Sequence, residues 1–193
     1  MKPRNYSKVF RVLHWSIAIT FLLLLLTIFL RKTWMEKNHV AEIIQTYLTE
    51  NNYETLPQDE AIVLAKKIRK PMWVWHIYFG YVLVGLYCIR LALPFFGEMK
   101  FTSPFQKNLD TKTKFHYWTY LIFYIFTGIS LITGLIIEWG PKTYKKPMES
   151  IHELSIYYLL AFIIIHFSGV LMAEMGNQKG IISKIISGTK NEE

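Results

Sequence analysis

Residues 12–30 read VLHWSIAITFLLLLLTIFL, an uninterrupted apolar run with no charge and one histidine near its start. A helix rises about 1.5 Å per residue, so a run of this length crosses roughly 30 Å, the hydrocarbon thickness of a bilayer. Working outward, residues 73–96, 115–137 and 154–173 are as long and as apolar, with Arg90 the one charge among them. Lipid offers no partner to an unpaired backbone group, so helices are the default form of such segments, and the alternation of a transmembrane strand is absent. The expected fold is therefore all-α: an integral membrane four-helix bundle, a single domain over residues 1–193, with a helical extramembrane loop between spans 1 and 2.

The rest of the composition agrees. The chain is 52% apolar and 16% aromatic, with a formal charge of +8. In a soluble protein that charge would suggest nucleic acid. Here the Lys and Arg residues fill the gaps between apolar blocks, so the expected partner is the lipid bilayer and not nucleic acid. Tryptophans near the span ends, Trp34, Trp73, Trp75 and Trp139, suit an interfacial belt, while Trp15 and Trp118 are candidates for lining a cofactor pocket. The first run is followed by Arg31 and Lys32, not by a small-residue cleavage site, and reads as a retained span rather than a signal peptide.

The long connection, residues 31–72, carries two helix-like stretches. Residues 40–50 place Ile43, Ile44, Tyr47 and Leu48 on one side. The second opens at Pro57, has Asp59 and Glu60 early and Lys66, Lys67 and Arg69 late, and is expected to end at Pro71. In the tail, Ile181, Ile182, Ile185 and Ile186 alternate with Lys179 and Lys184, the pattern of a short interfacial helix. The faces carrying the termini and the second loop hold 11 Lys and Arg, against 10 on the opposite faces, and the long loop adds six acids. Both termini are therefore expected in the cytoplasm, including the basic flank Lys2, Arg4, Lys8 and Arg11.

Five of the six histidines lie in or at the ends of spans: His14, His76, His116, His152 and His166. His39 falls in the long loop and reads as ordinary surface. One histidine inside a membrane is most often a satisfied polar contact between helices. Five, across all four spans, point to a cofactor. His152 and His166 are 14 residues apart, which on one helix returns to within about 40° of the same face and separates them by about 21 Å. Depth along the spans then matches His76 with His152 and His14 with His166. Imidazole suits iron, zinc or copper, but zinc wants three or four ligands at one place, whereas two and two is the axial ligation of a planar macrocycle. No Cys-x-x-Cys-His sequence exists and Cys88 stands alone, so the expected cofactors are two non-covalent haems b. Gly80, one turn from His76, and Gly169, near His166, leave room for a ring. Arg90 is a candidate for a haem propionate, with snorkelling to lipid phosphate as the alternative. His116 opens the third span at a depth like that of His14. It is a second candidate partner for His166, or a group that meets a propionate or exchanges protons with a quinone.

Several pieces together resemble the prokaryotic four-helix di-haem cytochromes b, which include bacterial cytochrome b561, the cytochrome b subunit of nickel-iron hydrogenases and the gamma subunit of membrane formate dehydrogenases. They are Arg11-Val12-Leu13-His14-Trp15, His76 four residues before Gly80 with Arg90 after it, His116, and His152 with His166. The resemblance implies haem ligation by His14, His76, His152 and His166 in the cytoplasmic membrane. It also implies electron exchange with a quinone pool near the cytoplasmic haem, on behalf of a partner redox subunit or a cytochrome c. The long first loop departs from the small members of that family. The competing expectation, from a different class, is a haem-free transporter or channel whose histidines relay protons.

Overall fold

The computed structural model describes residues 6–176 and 179–188. The basic residues Lys2 and Arg4, and the ends of the tail, lie outside the described residues. Everything described is helix or connection. Among the described residues, four helices have the length and apolarity to cross a membrane: Lys8–Lys32, Lys70–Phe96, Thr111–Trp139 and Lys142–Met175. The chain is an all-α, multi-pass membrane protein.

Its residues form two compact units, Ile17–Gly85 on one hand and Met1–Ser16 with Leu86–Glu193 on the other. The first unit holds most of α1 (Lys8–Lys32), the hairpin α2 (Lys37–Glu50) and α3 (Gln58–Ile68), and most of α4 (Lys70–Ala92). Helix α2 starts where the Glu36 carboxylate accepts from the backbone N–H groups of Asn38 at 2.7 Å and His39 at 3.2 Å. Helix α3 carries Asp59 and Glu60 in its first turn and Lys66 and Lys67 in its last, matching its dipole. The two meet through Ala41, Ala61 and Ala65, each fully buried, with Val40, Ile44, Leu56 and Ile62 around them. The Gln45 side chain bonds both backbone groups of Leu56 and fixes the connection. At the base, Arg69 donates to the Met35 carbonyl at 3.0 Å.

Pro71 does not end the hairpin in the expected way. Helix α3 stops at Ile68, and α4 begins at Lys70 with Pro71 in its first turn. There a missing N–H costs nothing, because the first N–H groups of a helix have no partner within it. Helix α4 closes in a 3-10 turn, Leu93–Phe96, whose cap Gly97 has a φ of 86° that favours glycine.

In the second unit, α5 (Thr111–Trp139) packs against α6 (Lys142–Glu153) and α7 (Ser155–Met175), and α7 meets the short α8 (Ile181–Ile186). Asp110 caps α5, accepting from the Thr113 N–H at 3.1 Å. Hydrogen bonds from the Thr113 side chain and backbone hold the Asp110 carboxyl below the usual carboxylate range. The fourth span differs from the continuous helix expected. Pro147 sits inside α6, and a turn at Leu154 separates α6 from α7. His152 stands on α6 and His166 on α7, joined through Leu154, whose φ of -65° and ψ of -15° stay in the right-handed helical region.

Large apolar side chains face outward in helical register. On α5 these are Ile122, Ile125, Phe126, Ile129 and Ile132; on α1 they are Ile19, Leu22, Leu26 and Phe29. Such stripes are costly in water and are what a helix presents to lipid.

Candidate functional site

His14, His116, His152 and His166 belong to one unit, and His76 to the other. His14 lies on the second turn of α1, and its ring centroid is 6.1 Å from that of His166 on α7, with 43° between the planes. Two imidazoles bound to opposite sides of one metal, each through a bond of about 2 Å, have centroids ~6 Å apart. The gap between these rings fits a bis-imidazole site.

The surroundings of His166 are aromatic. Phe162, one turn earlier on α7, stacks on it at 5.5 Å and 16°. Phe123 of α5 stacks on Phe162 at 3.6 Å. The Tyr120 hydroxyl lies 3.2 Å from His166 Nδ1. His116 is exposed, with its ring edge-on to Tyr120 at 4.7 Å. The structure thus brings the His14 and His166 rings near each other and places His116 beside Tyr120.

His152, at the end of α6, is aimed at α5. Its Nδ1 donates to the Ser130 carbonyl at 2.9 Å, and Thr133 Oγ1 lies 3.2 Å from the same nitrogen. A carbonyl accepts only, so Nδ1 carries the proton and the lone pair sits on Nε2, the form that binds a metal. Gly134 makes the fit possible: a Cβ there would come within 3.1 Å of His152 Cε1. His76, in the other unit, has Nδ1 2.7 Å from Thr27 Oγ1. Its ring stacks on Trp73 at 4.6 Å, and the Arg31 guanidinium carbon lies over that same indole, 4.1 Å from its centroid.

Arg90 is 7% exposed and turned into the protein rather than out to lipid phosphate. Its guanidinium carbon lies 4.3 Å from the Phe101 ring centroid and 5.1 Å from that of Tyr124. Its Nε and Nη1 are buried with no hydrogen-bond partner among the described residues. A buried cation with unpaired N–H groups calls for an anion, and a carboxylate suits it best. Arg11 Nη1 donates to the Ile186 carbonyl at 3.3 Å, beside the Trp15 indole N–H, which donates to Ile185 at 3.2 Å, while Arg11 Nε is buried with no hydrogen-bond partner among the described residues. These two bonds tie α8 to the start of α1. Gly80 and Gly169 have nothing within 4 Å of a built Cβ, so contact with a neighbouring helix is not what requires glycine there.

Near the start of α5 lies a cleft of about 490 Å³ lined by Pro104, Phe105, Lys107, Lys114 and Trp118 among others. The Phe105 and Trp118 rings meet edge to face at 5.1 Å. Sequence reasoning missed Thr27, Ser130, Thr133 and Gly134 as groups that hold histidines. Only Phe162, four residues before His166, carried a helical spacing that would have flagged it.

The donor set and its surroundings fit haem: two imidazoles whose centroids are 6.1 Å apart, His152 held with its lone pair on Nε2, and a buried arginine with unpartnered nitrogens. The chain matches the family model described as prokaryotic cytochrome b561 over residues 5–188. No curated protein and no solved structure matches it.

Proposed function

The chain belongs to the prokaryotic cytochrome b561 family of membrane haem b electron carriers, and on that premise we propose that it holds two non-covalent haems b and moves electrons between a quinone pool and a partner redox subunit or cytochrome c. His14 and His166 would hold one haem, and His76 and His152, matched in depth along the sequence, would hold the other. The observation that carries the reading is the 6.1 Å between the His14 and His166 rings.

When bound, haem b supplies a one-electron Fe(III)/Fe(II) couple. The chain's own residues do the rest. With two histidines assigned to hold each haem, the group would supply electron transfer rather than substrate chemistry at iron. Arg90, with two unpartnered nitrogens, is the cation assigned to a propionate. Gly80 leaves room for a ring edge. His116, exposed beside Tyr120, exchanges the proton that accompanies quinone reduction or quinol oxidation. The cleft at Phe105 and Trp118 offers the quinone ring a stacking surface, and Lys114 a cation. The protein sits in the cytoplasmic membrane with both termini inside. A reporter fused at the C-terminus is expected to be active only in the cytoplasm; activity confined to the outer side contradicts that orientation.

The test of the ligand set is a pair of variants. His14→Ala and His166→Ala should each lose the same low-spin haem and leave the same residual reduced spectrum, with haem normalised to protein. His116→Ala should keep both low-spin haems while slowing their reduction by a quinol analogue. Loss of the His166 haem in His116→Ala, but not in His14→Ala, would transfer the ligand role to α5.

A further inference from the structure

Thr27 is the one polar side chain in residues 21–30, FLLLLLTIFL. It is 6% exposed. Its hydroxyl donates to the Leu24 carbonyl at 2.6 Å, within its own helix. A hydroxyl has a single proton, so with that proton committed the oxygen offers only lone pairs. The 2.7 Å contact with His76 Nδ1 then has one direction: the imidazole N–H donates and Thr27 accepts. A hydroxyl polarised by its own donation is the better acceptor. The His76 ring is thereby held with its proton on Nδ1 and its lone pair on Nε2.

The histidines are not served alike. His152 Nδ1 donates to the Ser130 carbonyl at 2.9 Å, a strong acceptor. His166 Nδ1 has only a phenol oxygen, at the longer distance of 3.2 Å. No hydrogen bond reaches the His14 ring among the described residues. Two histidines are pulled on at the proton-bearing nitrogen, and two are not.

Building on the ligand assignment above, we propose that Thr27 is a positioning residue for His76. It aims Nε2 and, by drawing on the Nδ1 proton, makes the imidazole a stronger donor. A stronger axial donor favours Fe(III) over Fe(II), which lowers the reduction potential. The haem that takes His76 is therefore the lower-potential one. The Ser130 carbonyl acts on His152 in the same sense. The haem held by His14 and His166, with only the longer phenol contact to His166, takes the first electron.

The experiment is a potentiometric titration of the purified holoprotein, followed at the α band, for wild type, Thr27→Val and Thr27→Ser. Wild type should titrate in two one-electron steps. Thr27→Val keeps the shape and removes the acceptor. It should shift the lower step upward, by about a tenfold change in the relative stability of the two oxidation states, and leave the upper step in place. Thr27→Ser should keep both steps at their wild-type positions. The proposal is overturned if Thr27→Val binds two haems with both steps unmoved, if the upper step is the one that moves, or if Thr27→Ser behaves like Thr27→Val. If Thr27→Val binds one haem, retention of two haems in Thr27→Ser supports the role of the hydroxyl, and their loss there overturns it. If Thr27→Val does not accumulate, Thr27→Cys decides: a thiol is a weak acceptor, so the lower step must rise, and an unmoved step overturns the proposal. A wild-type protein without haem would sink the ligand assignment itself, which is a different result from any of these.

Discussion

The histidines show how small groups decide what an imidazole does. An imidazole in a membrane segment has two nitrogens and can present either. His152 presents Nε2 because its Nδ1 is taken by the Ser130 carbonyl, and it reaches that carbonyl because Gly134 has no side chain. An added Cβ would stand 3.1 Å from Cε1 and 3.5 Å from Nδ1 of His152. Gly134→Ala should therefore displace the ring by a few tenths of an ångström and disturb its bond to Ser130. The expected result is a roughly tenfold weaker hold on one haem, in line with the loss of an outer-shell partner, with the other haem unchanged. Haem-to-protein ratio and the reduced α band read it out. A variant with wild-type occupancy and band shape would show that the close approach of Gly134 has no bearing on the ligand. None of this was visible in the sequence. Thr27 lies 49 residues from His76, and a threonine in a leucine run looks like filler until the chain is folded. The histidines themselves were legible because an ionisable group in an apolar block is costly, and the sequence displays that cost directly.

At the scale of elements, the spans were legible for the same reason of cost: an apolar run of the right length has one solution in lipid. Their ends were less so. The helices extend past the apolar runs, as α5 does from 115–137 out to Thr111–Trp139, because capping groups such as Asp110 carry the helix beyond the hydrocarbon. Pro71 was expected to break a helix and instead sits in the first turn of the next one. The turn at Leu154 falls where the polar stretch 142–153 gives way to the apolar run 154–173, a change of composition that marks the edge of the span and not a break in the helix. The hairpin of α2 and α3 was read from its charges, but its contact was not. That contact is made by Ala41, Ala61 and Ala65, small residues that let the two backbones approach. Ala61→Leu should overpack it, at a cost of about 1–3 kcal/mol, and open the hairpin locally. Limited proteolysis within residues 37–68 should speed up, while the haem spectrum stays as in wild type because the hairpin supplies no ligand. Unchanged proteolysis would show that the alanine contact is not what holds α2 to α3.

For the whole molecule, composition, fold and family converge. Four apolar helices make a multi-pass membrane protein, and the family match over residues 5–188 makes it a cytochrome b. The proposed count of two haems rests on taking the histidines in pairs, and the competing picture of a proton-relaying transporter uses the same histidines without any cofactor. The two differ in colour before they differ in anything else. The direct measurement is the haem content of protein purified from haem-replete cells: a pyridine haemochrome against total protein, with extraction into acid acetone. Two haems b per chain, both extractable and both low-spin when reduced with dithionite, are expected. A colourless protein, or haem that resists extraction, would contradict the assignment.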